Sequence, residues 1–344
     1  MSSAKENIRS IRDQVQPSPS ISTWQVVSTL VFFVATIYGL SVVSSVWLIG
    51  FCFLPLLALI GIRLFVLQHD CGHLSLYQRK ASNDIAGQVL AWFTTVPYEL
   101  WRSEHRWHHL NQGNLSSRGV DMMNSPPTVD ELKNEPEKAD DWNAKVSSMG
   151  VFFAGAWSLL VARKSVNEFF MFRQAYLEDA KNAAKLRRGI WVTHIGAIVV
   201  HISLFLMLGW QKYAFVLVPA YLLAGGFGSL LFWIQHNFED SYFAWEDEWD
   251  FYKVGTDGSS YLKLPFPLSY FTAHIGLHHV HHLNMQIPNY KLDLARNLVP
   301  ELARVQPLSF DDLRNSFTHL FWDEVKGKKV KLTREALPPQ SPDA

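Results

Sequence analysis

The sequence predicts an all-α membrane protein, with four transmembrane helices in two hairpins and a cytosolic helical cap. Three observations predict it. Four apolar runs are long enough to span a bilayer, two very short connections pair them, and Lys and Arg collect on one side of the resulting topology.

Whole-chain averages conceal this pattern. The 344 residues carry 31 Lys+Arg against 31 Asp+Glu, and mean hydropathy is +0.01. A balanced charge gives no global attraction to nucleic acid. Two cysteines build neither a disulfide framework nor a Cys-based zinc site. At 48% hydrophobic and 18% charged, the chain as a whole is not disordered.

Residues 1–23 read as a disordered cytosolic arm, with Lys5, Arg9, Arg12 and the run Pro17-Ser18-Pro19-Ser20. No signal-peptide pattern follows them. The first hairpin is expected over 24–43 and 46–67, joined by Val43-Ser44-Ser45, with Arg63 its one internal charge. The second is expected over 189–209 and 213–234, joined by Trp210-Gln211-Lys212. Each run approaches or exceeds the ~20 helical residues that cross a hydrocarbon core. Residues 85–98 and 150–162 are apolar but shorter, and read as interfacial or re-entrant helices. Residues 121–145, with Pro126, Pro127, Pro136 and many acids, read as an exposed loop. These runs define a membrane domain over 24–292, a C-terminal cytosolic segment over 293–321 and a disordered tail over 322–344. Lys212 is the single Lys or Arg of the two hairpin loops. The positive-inside rule therefore places both termini and the central region in the cytoplasm, making the chain an integral, multi-pass membrane protein.

Eleven of the 14 histidines fall in four patches, all on that cytoplasmic side. HDCGH carries His69 and His73, HRWHH carries His105, His108 and His109, WIQHNFED carries His236, and HIGLHHVHH carries His274, His278, His279, His281 and His282. His69 and His73 are i, i+4 and share a helix face. The trios His105/His108/His109 and His278/His281/His282 are i, i+3, i+4, so each spans only about 100° of a helix and its imidazoles can converge. Adjacent His108 and His109 point about 100° apart and could serve different metal ions. With His236, nine imidazoles exceed the four or so of one tetrahedral site, so two metal ions fit the count better. Imidazole suits iron, zinc and copper. His274, one turn before His278, is the alternative to His236 as ninth ligand. His279 points off the shared face. His194, His201 and His319 read as packed or interfacial residues.

HDCGH, HRWHH and HHVHH resemble the three histidine boxes of the integral-membrane fatty acid desaturases. The surrounding TVPYELWRSEHRWHHLNQGN, WIQHNFEDSYFAWEDEWD, GSSYLKLP and HIGLHHVHHLNMQIPNYKL are similar to the Δ12/omega-6 acyl-lipid branch, especially its bacterial members. The resemblance covers about 46–120 and 189–292, weakens over 121–188 and is absent from both tails. It implies a histidine-ligated di-iron centre in the cytosolic cap, with 24–292 as membrane and catalytic domain. By motif match, two non-haem iron ions are held by His69, His73, His105, His108, His109, His236, His278, His281 and His282.

The implied activity is O₂-dependent insertion of a cis double bond into an acyl-lipid chain, in a bacterial inner membrane. Ligating histidines usually give their second N–H to a carboxylate or carbonyl. Asp70, Glu104, Glu239 and Asp240 adjoin ligand positions and are the candidates. Gly225, Gly226 and Gly228 open a tunnel wall or permit close helix packing. Arg79, Lys80, Arg102 and Arg106 are candidates to meet membrane lipid headgroups or an acidic electron donor. No haem, iron–sulfur or dinucleotide motif is present, so a separate donor is expected, ferredoxin-like or cytochrome b5-like. The competing readings are a related oxygenase (acyl hydroxylase, alkane monooxygenase or carotenoid ketolase) and, from another class, a metal transporter, whose sites usually lie nearer the bilayer midplane.

Overall fold

The computed structural model describes residues 10–118, 126–160 and 180–332, with no side chains for 157–160 and 180–182. It is mostly helical. Three stretches are long and apolar enough to cross a membrane: Pro19–Val42, Val46–Gly72 and Ala183–His236.

Helix α1 (Pro19–Val42) begins with proline in its first turn, where the missing N–H has no helical partner to lose. After a three-residue connection, α2 runs from Val46 to Gly72 and contains a π-helical turn over Ile49–Phe53. The cause is Pro55, whose ring conflicts with the carbonyl four residues back. Next come α3 (Lys80–Thr94), α4 (Tyr98–Asn111), α5 (Val129–Asn134), α6 (Glu137–Val146) and α7 (Ser148–Leu160). The third long stretch comprises α8 (Ala180–Lys212), a π turn over Tyr213–Leu217 and α9 (Val218–His236). Pro219 stands to that π turn as Pro55 does to the first. The stretch counted from Ala183 is 54 residues long, far beyond one crossing, and Gly209 breaks it with φ 72°, a left-handed conformation that glycine adopts without strain.

The remainder is built of short pieces. These are α10 (Phe251–Asp257), α11 (Leu268–Phe271), α12 (His278–Leu283), α13 (Leu292–Leu298), α14 (Pro300–Ala303) and α15 (Phe310–Asn315). A two-stranded antiparallel ribbon follows, β1 (Phe321–Asp323) with β2 (Lys328–Val330), pairing Phe321 with Val330.

The long helices are apolar outside as well as inside. Phe33, Ile37, Leu40, Ile60, Leu64 and Leu67 bury against one another where α1 meets α2, while Val31, Tyr38, Trp47, Ile195, Val199 and Leu206 are exposed. Only 22% of the most apolar window of the third stretch is buried. An exterior of this kind is consistent with a membrane protein. Helices α7 and α9 pack closely through glycine. A Cβ on Gly155 would stand 2.1 Å from Ser229 Oγ, and one on Gly226 would stand 2.4 Å from the Phe152 ring. Gly226 thus serves close packing.

Three expectations need correction. Within the arm expected over 1–23, Ile11 and Val15 are buried against Leu277, Val280 and Ile287, and α1 starts at Pro19 rather than 24. Two well-spaced apolar residues anchor a polar segment when a matching apolar surface exists elsewhere. Residues 1–9 lie outside the described residues. The loop expected over 121–145 contains α5 and α6; Thr128 and Glu131 form a capping box, and Leu132 and Trp142 are buried. Its residues 119–125 are not described. The tail expected over 322–344 begins instead with the ribbon, and residues 333–344 lie outside the description.

Candidate metal centre

Each histidine patch sits where a helix ends or is short. His69 lies in the last turn of α2, and His73 caps it. His105, His108 and His109 share one side of α4, His236 is the last residue of α9, and His278, His281 and His282 lie on α12. All nine are buried, none more than 8% exposed.

Their ring nitrogens form two groups, each with its members within 4.8 Å of one another. His69, His73, His105, His109 and His281 make the first; His108, His236 and His282 make the second. His278 joins the second through His236, with the Nε2 atoms 2.9 Å apart. The adjacent pair His108 and His109 is divided between the groups, as helical geometry allows.

The donor set suits a metal. His109 Nε2 lies 3.1 Å from both His105 Nε2 and His281 Nε2, and His236 Nε2 lies 3.2 Å from His108 Nε2 and 2.9 Å from His278 Nε2. A ring nitrogen offers either one proton or one lone pair, so it joins only one of two such contacts as a hydrogen bond. A shared cation satisfies all of them. Imidazole nitrogens bound at about 2.1 Å and separated by 90–109° stand about 3.0–3.4 Å apart, close to the spacings found here. Burial first, then neighbouring imidazoles, holds His73, His105, His109, His278, His281 and His282 well below the ordinary histidine range. They are therefore neutral at pH 7, with the lone pair a metal requires.

Surrounding groups orient and enclose the rings. Asp70 Oδ1 faces His69 Nδ1 at 3.1 Å, and Oδ2 accepts from the backbone N–H of Asn289 at 3.0 Å and from its side-chain amide at 2.8 Å. Asn289 in turn exchanges two amide bonds with Gln25 of α1. Trp101 stacks on His105 at 4.4 Å, and Phe232 lies 5.0 Å from His108 and 4.9 Å from His236.

Of the four carboxylates singled out in the sequence, Asp70 alone makes a direct bond to a patch histidine in the description of these contacts. Glu239 instead bonds Lys328 at 2.7 Å and Asn315 at 2.9 Å, which lowers its pKa through the Lys328 ammonium first. Asp240 is exposed, and Glu104 is half-buried on α4. His274 is exposed, has φ 58° and belongs to neither group. His279 is buried but faces Tyr261, with ring centroids 5.7 Å apart. His201 bonds Tyr213, and His319 bonds Thr318. Lys80 and Arg102 both pair with Asp84. Sequence reasoning missed Asn289, Gln25, Trp101 and Phe232. IPNYKL stood within the resembling segment, but nothing local signalled that Asn289 reaches Asp70.

Helical membrane-type architecture with clustered, buried, neutral imidazoles defines a metal-dependent membrane protein. The family model described as fatty acid desaturase matches residues 44–313. Over 295 residues the chain is 31% identical to a fatty acid desaturase of Bacillus subtilis, covering 82% of this chain and 78% of that one. It is 27% identical over 233 residues to a sn-1 acyl-lipid omega-3 desaturase (ferredoxin) of Nostoc, covering 67% and 61%. It is 25% identical over 282 residues to a sn-1 oleoyl-lipid 12-desaturase of Picosynechococcus, covering 80% and 76%. The chain belongs to the fatty acid desaturase family and is an oxidoreductase.

Proposed function

We propose that this enzyme places a cis double bond in a lipid-linked acyl chain at a di-iron centre, with Δ12/omega-6 regiochemistry. The observation that carries the reading is the pair of buried imidazole groups. His69, His73, His105, His109 and His281 would hold one iron, and His108, His236, His278 and His282 the other. Bound iron supplies the activation of O₂ that removal of hydrogen from an unactivated methylene demands.

The overall change balances as follows. Neighbouring methylenes lose two hydrogens and two electrons, a donor provides two more electrons, and O₂ with two further protons becomes two waters. The chain's own residues make this selective. Asp70 sets the orientation of His69, burial keeps the imidazoles neutral, and Trp101 and Phe232 screen the ring nitrogens from water. One methylene resembles the next, so the carbon is chosen by where the chain is held, not by local chemistry.

The electron donor is a separate protein, ferredoxin-like or cytochrome b5-like; the name of the Nostoc relative supports the first. The break at Gly209 supports dividing the third long stretch into two spans. The membrane reading is thus four spans in two hairpins, with the histidines and both termini cytoplasmic, in a bacterial inner membrane.

The test is to express the chain in a host supplied with saturated and monounsaturated acyl chains, locating new double bonds by mass spectrometry. A diene with its new bond at the Δ12/omega-6 position is expected. A new bond at omega-3 refutes the regiochemistry. A hydroxyl or keto product without a new double bond refutes desaturation.

A further inference from the structure

His236 differs from the other eight proposed ligands. It lies outside the three boxes and is the last residue of α9, where helical hydrogen bonding runs out. The chain around it is gripped from one direction. Trp233 Nε1 donates to the Ser316 carbonyl at 2.8 Å, and Asn315 and Lys328 both bond Glu239. The backbone N–H of Lys329 donates to the Glu239 carbonyl at 2.8 Å, and its ammonium donates to Asn237 Oδ1 at 2.5 Å. Every gripping residue lies beyond 313, where the family match ends.

Lys329 is the unusual member. It is fully buried, with its Nζ 5.4 Å from the centre of the Trp233 ring and 5.8 Å from that of Phe243. Burial pushes its ammonium down to about 7. A lysine in such a place costs folding energy that an apolar residue of similar volume would not. What it provides in return is a bond to Asn237, the residue immediately after His236, at the helix end that favours a cation.

We infer that Lys329 is a positioning residue: through Asn237 it fixes the end of α9, and so the His236 ring, for the second metal ion. This rests on the di-iron reading above. A merely structural lysine and a positioning one respond differently to Lys329→Met, an apolar replacement that fills the site. The first would leave metal binding unchanged. The second should weaken binding of one ion roughly 10- to 100-fold, as loss of an outer-shell partner does.

The experiment measures iron per chain, and resistance to a graded chelator, for purified full-length protein in detergent. Wild type, His236→Ala, Lys329→Met and Asn237→Leu are compared, with thermal unfolding of the metal-free forms alongside. Lys329→Met is expected to unfold no earlier than wild type yet to lose one of two irons at chelator levels wild type withstands. Asn237→Leu should do the same, and the double variant no more than either. Lys329→Met and Asn237→Leu holding both irons as firmly as wild type, while His236→Ala loses one, overturns the inference alone. Wild type that binds no iron pair, or His236→Ala that keeps both, overturns the di-iron reading instead. Should Lys329→Met fail to fold, Asn237→Leu decides: both irons retained overturns the inference.

Discussion

Replacing Asp70 by asparagine changes one atom of a buried side chain and should be felt at the metal. Asp70 uses both oxygens as acceptors, one towards His69 Nδ1 and one towards the two N–H groups of Asn289. An amide has one oxygen. It can face His69 or Asn289, and its NH₂ then meets a donor on the other side. A hydrogen bond to a charged partner contributes about 1.5–3 kcal/mol, and a buried donor left unsatisfied costs about 1–3 kcal/mol. The expected loss of stability is therefore about 2–5 kcal/mol on these figures. If the amide oxygen keeps Asn289, His69 loses the group that orients it, and affinity for the first iron should fall roughly 10- to 100-fold. Chelator competition on purified protein reads the affinity, and thermal unfolding in detergent reads the stability. Asp70→Asn that holds iron as tightly as wild type and unfolds at the same temperature would refute the reasoning.

His108→Ala should abolish desaturation while the protein still inserts into membranes; fatty acid profiles and membrane fractionation of expressing cells check this together. His274→Ala should keep most activity, because this ring is exposed and outside both groups; activity as low as that of His108→Ala would bring it into the centre. Acidification should release iron and destabilise the fold. Burial depresses the pKa of His73, His105, His109, His278, His281 and His282 below the ordinary 6.5, so the unfolded state binds more protons as pH falls through that value. Stability is complete above about 6.5 and declines below it, down to the folded pKa values. Unfolding of the metal-free protein followed from pH 8 to pH 5 tests the sign, and a midpoint that rises on acidification contradicts it.

What was legible in the sequence is what short-range geometry writes into it. The i, i+3, i+4 spacing of His105, His108 and His109 describes one side of α4 because helical periodicity is local. The apolar runs declare themselves by length. Thr128 and Glu131 carried a local capping signature, yet the prolines and acids around them made the segment read as loop. Contacts between distant segments left no such trace. Asn289 meets Asp70 across 219 positions, and Lys329 meets Asn237 across 92. A lysine in a charged C-terminal stretch gives no sign that it is buried. Ile11 and Val15 were diluted among polar neighbours, and only the apolar surface of α12 and α13 explains their burial. The division of His108 and His109 between groups was foreseeable from one helix, but which partners each would meet depended on three others.

The paired π turns have a bearing on how this molecule tolerates change in chain length. A π turn holds one residue more than the α-helix it interrupts, and each residue turns a helix by about 100°. In α2 the turn ends 16 residues before His69, and the second ends 19 residues before His236. A rigid helix carries that rotation about 24 Å or more along its axis. The angular setting of two buried rings is thus decided at the far ends of their helices, beside Pro55 and Pro219. Deleting a single residue such as Gly50 would leave every metal-facing side chain in place by identity and swing His69 out of its group by phase.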